Sequence, residues 1–276
     1  MAVTVEAKPA ALPLLGGLAG YGELLRTLLL REVRVRYKGS ALGLLWSVLY
    51  PLAMVAVYTL VFSVLLKTAG NIPHYPLFVL AGLTVWSFFQ VAVQLGTGSL
   101  LANAELIKKV WFPRELVVAA TVLAQTITIG VMLAILVPAD LIVVPETAKT
   151  MALAVPIIAA LICLALGFSW LLSVANVFFR DVEHLLAVLF LPWFFLTPVL
   201  YGLNQLPAAV DHDWLIHLMR YGNPVTPYVE SLRAVILEAT VPGASLLVYV
   251  FVVGPALALI GLWVVQRYDD RFAIEL

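Results

Sequence analysis

Six apolar stretches decide what this chain can fold into. They run over Ala41–Leu66, Leu77–Leu101, Leu116–Val137, Met151–Phe179, Leu185–Tyr201 and Leu246–Val265. About 20 apolar residues in a helix cross the ~30 Å hydrocarbon core of a bilayer. Five of the stretches meet that length. The fifth in order, Leu185–Tyr201, is short and holds Pro192 and Pro198, so its outer end is expected to break or re-enter. Backbone in lipid must satisfy its own hydrogen bonds, which leaves helices for segments this long. Only 12% of the 276 residues are charged, against about a quarter in a soluble domain. The sequence therefore predicts an all-α polytopic membrane protein with six transmembrane helices.

An even number of crossings puts both termini on one side, and the positive charges choose it. Of the 16 Lys and Arg, 12 fall in residues 1–40, the loops at 102–115 and 180–184, and the tail after Val265. Lys67, Lys149, Arg220 and Arg233 face the other way. Both termini and these loops are thus expected in the cytoplasm.

Residues 1–20 show no cleavable signal peptide and read as a flexible N-terminus. Residues 21–38 have helical period: Tyr21, Leu24, Leu25, Leu28 and Val35 on one side, Arg31, Arg34 and Lys38 opposite. A basic amphipathic helix of this kind lies in the headgroup plane. It is either a plain interfacial anchor or a surface where Arg31, Arg34, Arg36 and Lys38 also draw in an anionic lipid substrate. The six-span domain is expected to fill residues 39–276.

The stretch NAELIKKVWFPRE at 103–115 mixes Glu105, Lys108, Lys109, Arg114 and Glu115 with Leu106, Ile107, Trp111 and Phe112. A plain polar connector has no need of those apolar side chains. A short helix that docks on a soluble partner does. On the outer face, residues 205–240 contain two amphipathic pieces, Asp213–Arg220 and Thr226–Ala239, read as short re-entrant helices that gate or cap the bundle.

The six apolar stretches hold no Asp, Glu, Lys, Arg or His in their cores, which argues against ion-coupled transport. No G-x-x-x-x-G-K-[ST] phosphate loop occurs, so energy for active transport must come from a partner. Asp211, His212, Asp213 and His217 form a possible metal or acid–base cluster, or a solvated loop. The single cysteine, Cys163, lies in an apolar run and reads as a small buried hydrophobe. Gly39 and Gly43, and Gly96 and Gly98, are small enough for close helix packing.

A sugar hydroxyl pays several kcal/mol on entering hydrocarbon, so a glycan needs a lined conduit. Tyr58, Phe62, Trp86, Phe89 and Trp193 are aromatic candidates for that lining, with Gln90 and Gln94 as polar ones.

Several stretches, in order, resemble the membrane subunit of ABC-2 type transporters, specifically the polysaccharide exporters of O-antigens, teichoic acids and related cell-wall glycans. They are VRYKGSALGLLWSVLYPLAMVAVYTLVFS, YPLFVLAGLTVWSFF, NAELIKKVWFPRE, NVFFRDVEHLL, LTPVLYG, NPVTPYVESLRA and the closing RFAIEL. The resemblance implies a homodimer above two nucleotide-binding subunits that carry the ATP and Mg, with no cofactor, metal or catalytic residue on this chain. It implies a bacterial inner-membrane location, membrane lipids around the protein, a lipid-linked glycan as cargo, and no nucleic acid. By the same resemblance Asn103, Glu105, Leu106, Lys108, Lys109, Trp111, Phe112 and Arg114 form the coupling helix, with Arg180, Asp181 and His184 as a second contact. Export of drugs or small lipids is the alternative within transport; a membrane-embedded glycosyl- or acyltransferase is the alternative outside it.

Overall fold

The computed structural model describes residues 21–37, 45–67, 72–109, 112–206 and 212–275. Among them there are helices and turns and no strand. Five helices are long and apolar enough to cross a membrane: Val48–Leu65, Tyr75–Ala102, Glu115–Val143, Met151–Phe178 and Ala244–Asp269. The chain is a multi-pass membrane protein.

Helix α1 (Gly22–Tyr37) precedes α2 (Trp46–Tyr58), which winds on as a π-helical stretch to Leu65. His74 adopts a left-handed backbone and Pro76 sits in the first turn, where a missing N–H costs nothing. They start α3 (Tyr75–Ala102). The short α4 (Ala104–Lys109) leads into α5 (Glu115–Ala124) and α6 (Thr126–Val143), two halves of one crossing that step at Gln125. Helix α7 (Ala154–Phe178) is followed by α8 (Val182–Leu196). The outer α9 (Asp213–His217) runs into a π-turn to Gly222, then come α10 (Thr226–Ile236) and α11 (Ala244–Glu275).

The sequence ends the third crossing at Val137, but α6 passes through Pro138 to Val143 and carries Asp140 with it. Thr147 donates a 2.6 Å hydrogen bond to the Asp140 carboxylate from the following 3₁₀ turn. That bond gives a buried carboxylate one partner and lets the helix extend. One ionisable group thus lies inside a crossing where the sequence placed none. The last helix also continues past Val265, because Gln266, Asp269 and Phe272 have partners at the end of the bundle that carries the 102–115 loop, the end expected to be the inner one.

At 15 residues, α8 rises only about 22 Å, short of the hydrocarbon. It passes through Pro192 and stops at Leu196, where Thr197 turns extended ahead of Pro198.

Helix α3 is the centre of the molecule. Of its apolar window 67% is buried, against 11% for the first crossing. Gly96 lets α3 approach Ser169 of α7; a Cβ there would come 2.5 Å from the Ser169 hydroxyl. Between α7 and α11, Gly167 and Gly261 bring backbones together, with a Cβ at Gly167 only 2.6 Å from Leu257. In a bilayer, where apolar burial gives helices little reason to associate, such close approach supplies dispersion contact. Gly39 and Gly43 lie outside the described residues.

Candidate functional site

At the inner end, Asn103 closes α3 by donating to the Ser99 carbonyl at 2.9 Å, while its own carbonyl accepts from Leu106 and Ile107 at the start of α4. The side chain of Ile107 then sinks among Leu100, Phe112, Val117 and Val118, and Leu106 packs beside α1 residues Leu24 and Leu25. The opposite face carries Glu105 and Lys109, paired at 3.1 Å but 83% and 73% exposed, with Lys108 exposed beside them. So α4 is anchored by one face and offers the other. Trp111 lies outside the described residues.

Arg114 differs from the expected docking residue. Its side chain is only 8% exposed and pairs with Asp269 of α11 at 3.2 Å, with its guanidinium 5.9 Å from the centre of the Phe272 ring. Phe112 and Asn103 are buried as well. These three therefore hold the loop in place, and the faces open to a partner are Glu105, Lys108 and Lys109. Glu115 is buried too: its carboxylate accepts from Gln266 at 3.1 Å and its carbonyl from the Trp170 indole.

A second loop joins this end. Asn176 donates to the Thr97 carbonyl and accepts from the Glu183 N–H, both at 3.3 Å. Arg180, Asp181 and His184 are left exposed next to the foot of α3. On α1, Arg31 and Arg34 are exposed while Leu28 is buried against Leu116 and Ala120. Lys38 and the side chain of Arg36 lie outside the described residues.

Midway along the molecule, α2, α3 and α8 enclose a groove of about 310 Å³, bordered by Tyr50, Met54, Tyr58, Trp86, Gln90, Phe190 and Phe194. The Trp86 indole donates to the Gln90 side chain at 2.8 Å. Gln94 is half-buried a turn further along α3. Phe89 is fully enclosed, with ring centres 5.4 Å from both Phe168 and Trp193. It belongs to the core of the chain and does not line the groove. Trp193 is half-buried, its indole bound to Asn223 at 3.0 Å. Phe62 packs edge-on against Tyr58.

The outer end is organised by a residue the sequence reading passed over. Arg233 of α10 is 4% exposed. Its guanidinium lies 3.4 Å above the Phe78 ring and donates to the carbonyls of Phe78, Pro198 and Val199. Burial lowers its pKa to about 9, so it is still a cation at neutral pH. Gly82 makes room for it: a Cβ there would come 2.5 Å from the guanidinium. The signal was available in the sequence, since Val229, Ile236 and Leu237 surround Arg233 at helical spacing and a cation on an apolar face needs partners.

Nearby, Arg220 and Glu230 form a two-point ion pair at 2.8 and 3.0 Å, which holds the Arg220 guanidinium above its ordinary pKa. His212, Asp213 and His217 are exposed, and His217 stacks on Tyr221. Asp211 lies outside the described residues.

The ABC-2 type transporter family model matches residues 23–237. An O-antigen export system permease protein, RfbA, of Myxococcus xanthus is 29% identical over 82% of this chain and 84% of its own length. An RfbA of Klebsiella pneumoniae is 28% identical over 91% and 94%. The polysialic acid transport protein KpsM of Escherichia coli is 25% identical over 78% and 80%. With the family's match running from the amphipathic α1 through the Arg233 helix, the chain belongs to the ABC-2 type transporters.

Proposed function

We propose that this chain is the permease subunit of an ATP-driven exporter that moves a lipid-linked polysaccharide out of the bacterial cytoplasm. The observation that carries the energy-coupling half of this reading is α4. It is anchored through Ile107 and open through Glu105, Lys108 and Lys109, beside the exposed Arg180, Asp181 and His184. A nucleotide-binding subunit that carries ATP and Mg docks there and pushes. The cargo half rests on the kinship with O-antigen and polysialic acid permeases.

In this reading the protein sits in the inner membrane with six spans and both termini inside. Two copies pair above two ATPase subunits. The first crossing, left largely uncovered within one protomer, meets lipid or the second copy. The groove bordered by Tyr58, Trp86 and Gln90 faces the conduit, where aromatic rings and an amide suit a sugar's C–H faces and hydroxyls. Arg31 and Arg34 attract the anionic head of the carrier lipid.

Reconstitution of this chain with its ATPase in vesicles tests the proposal. Lipid-linked glycan is expected to stimulate ATP hydrolysis and to appear on the far side. Stimulation by apolar drugs or short lipids alone would transfer the chain to the drug-exporting branch of the family.

A further inference from the structure

Helix α11 runs from one end of the described residues to the other. Its 32 residues span about 48 Å. At the inner end Asp269 holds Arg114 at 3.2 Å and Gln266 holds Glu115 at 3.1 Å, so two bonds tie α11 to the segment that follows α4. Both partners of the ion pair are nearly buried, and the Phe272 ring lies beneath the guanidinium. Through its middle, α11 lies backbone to backbone on α7 at Gly167, Leu257 and Gly261. Pro255 removes one hydrogen bond from its ladder, and there Gly254 packs against Ala160 and Tyr228. At the outer end the Val250 carbonyl accepts from Tyr228 of α10 at 2.9 Å. Tyr249 donates to the Tyr221 carbonyl, and Ser245 bonds to the Tyr221 hydroxyl.

We infer that α11 is a strut that carries displacement of the α4 loop to the π-turn after α9, where Tyr249 and Ser245 hold Tyr221, and that Asp269 is its positioning residue at the inner joint. Asp269 touches neither ATPase nor cargo. It acts by holding Arg114, so that a push on the exposed face of α4 moves α11 instead of flexing the loop. A surface ion pair transmits little, because water competes for both charges. This one is largely shielded, and a joint in low dielectric resists parting. The inference takes its direction of motion from the export reading above, and the test separates the two.

In the assembled complex with its ATPase, Asp269→Asn is expected to lower glycan exported per nucleotide hydrolysed by at least about tenfold, the scale of losing one partner of a shielded pair. Asp269→Glu, which keeps the charge, restores most of it. A cargo-free readout runs beside it: spin labels at Ala102, just ahead of the docking loop, and at Val241, both exposed, in a Cys163→Ala background. Nucleotide is expected to change both spectra in the parent, and in Asp269→Asn only the one at Ala102. An equal response at Val241 in both proteins overturns the strut, as does an unchanged export ratio. Should Asp269→Asn fail to assemble, Arg114→Lys gives the same two readouts, with an unchanged ratio again overturning it. A parent complex that exports no glycan but still relays nucleotide binding to Val241 dismisses the cargo and keeps the strut.

Discussion

The two outer helices follow one another in sequence and behave as opposites. In α10 every residue but Glu230 is buried, and the helix is fixed to four other parts of the chain. Arg233 binds α3 and the extended 198–199 segment, Tyr228 binds α11, and the Val235 carbonyl takes a 2.7 Å bond from Thr150. In α9 only Ile216 is buried, and Trp214 is 66% exposed. Its link to the rest runs through the Arg220–Glu230 pair and Tyr221. Amphipathic pattern alone makes both look like gate helices. The difference teaches that α10 is wall, and that if either helix moves during export it is α9, hinged at the π-turn over Leu218–Gly222.

Breaking the wall has the largest expected effect. Arg233→Leu leaves the Pro198 and Val199 carbonyls without their donor and removes the cation above Phe78. A loss of about 3 kcal/mol or more follows from stripping a buried charge from its partners. Thermal unfolding of the solubilised protein, read by loss of its monodisperse peak, checks this. Gly82→Val should come next. Its Cβ overlaps both the guanidinium and the Val199 carbonyl, and overpacking of this kind costs about 1–3 kcal/mol. Because the guanidinium is one of the two groups a Cβ at Gly82 meets, the double variant is expected to cost less than the sum of the two changes. Full additivity would show that Gly82 serves some other neighbour.

Much of this could be read before any coordinates. Five crossings were legible because apolar length is a direct consequence of bilayer thickness, whereas α8 runs through Pro192 and ends at Leu196, ahead of Pro198. What escaped were contacts between distant residues. Arg114 and Asp269 are far apart in sequence, and the local pattern at 103–115 reads Arg114 as one more exposed charge. Asp140 lies beyond the apolar stretch that ends at Val137, and only its bond to Thr147 shows how the helix runs on to include it. Phe89 and Trp86 are equally aromatic in sequence and both are buried, yet only Trp86 reaches the wall of the groove. Facing is decided by neighbours, which a single span does not reveal.

Loosening the hinged helix is a smaller perturbation. Glu230→Gln removes the charge that Arg220 holds at two points, but the pair is about one-fifth exposed on each side, so about 1 kcal/mol is expected. Global unfolding should barely register it. Hydrogen exchange over 213–222 should rise while 226–236 stays protected, and raised salt should mimic the change in the parent, since screening weakens a partly exposed pair. Equal rises in both helices would erase the distinction between wall and hinge.

The smallest effect is expected at the exposed tip of α9, and it is informative because it is small. His212→Ala and Asp213→Ala alter side chains that the structure leaves in solvent, where substitutions stay within about 0.5 kcal/mol. Stability and export should both match the parent. A glycosyl- or acyltransferase would draw on the His212–Asp213 cluster first, because Arg220 is paired with Glu230, Arg233 is held among carbonyls and Asp140 lies under Thr147, while the exposed Glu146 and Glu238 are scattered. If either alanine variant abolished turnover while the protein stayed folded, the tip of α9 would be a catalytic surface. The contrast between the two outer helices would then be one of chemistry instead of mobility.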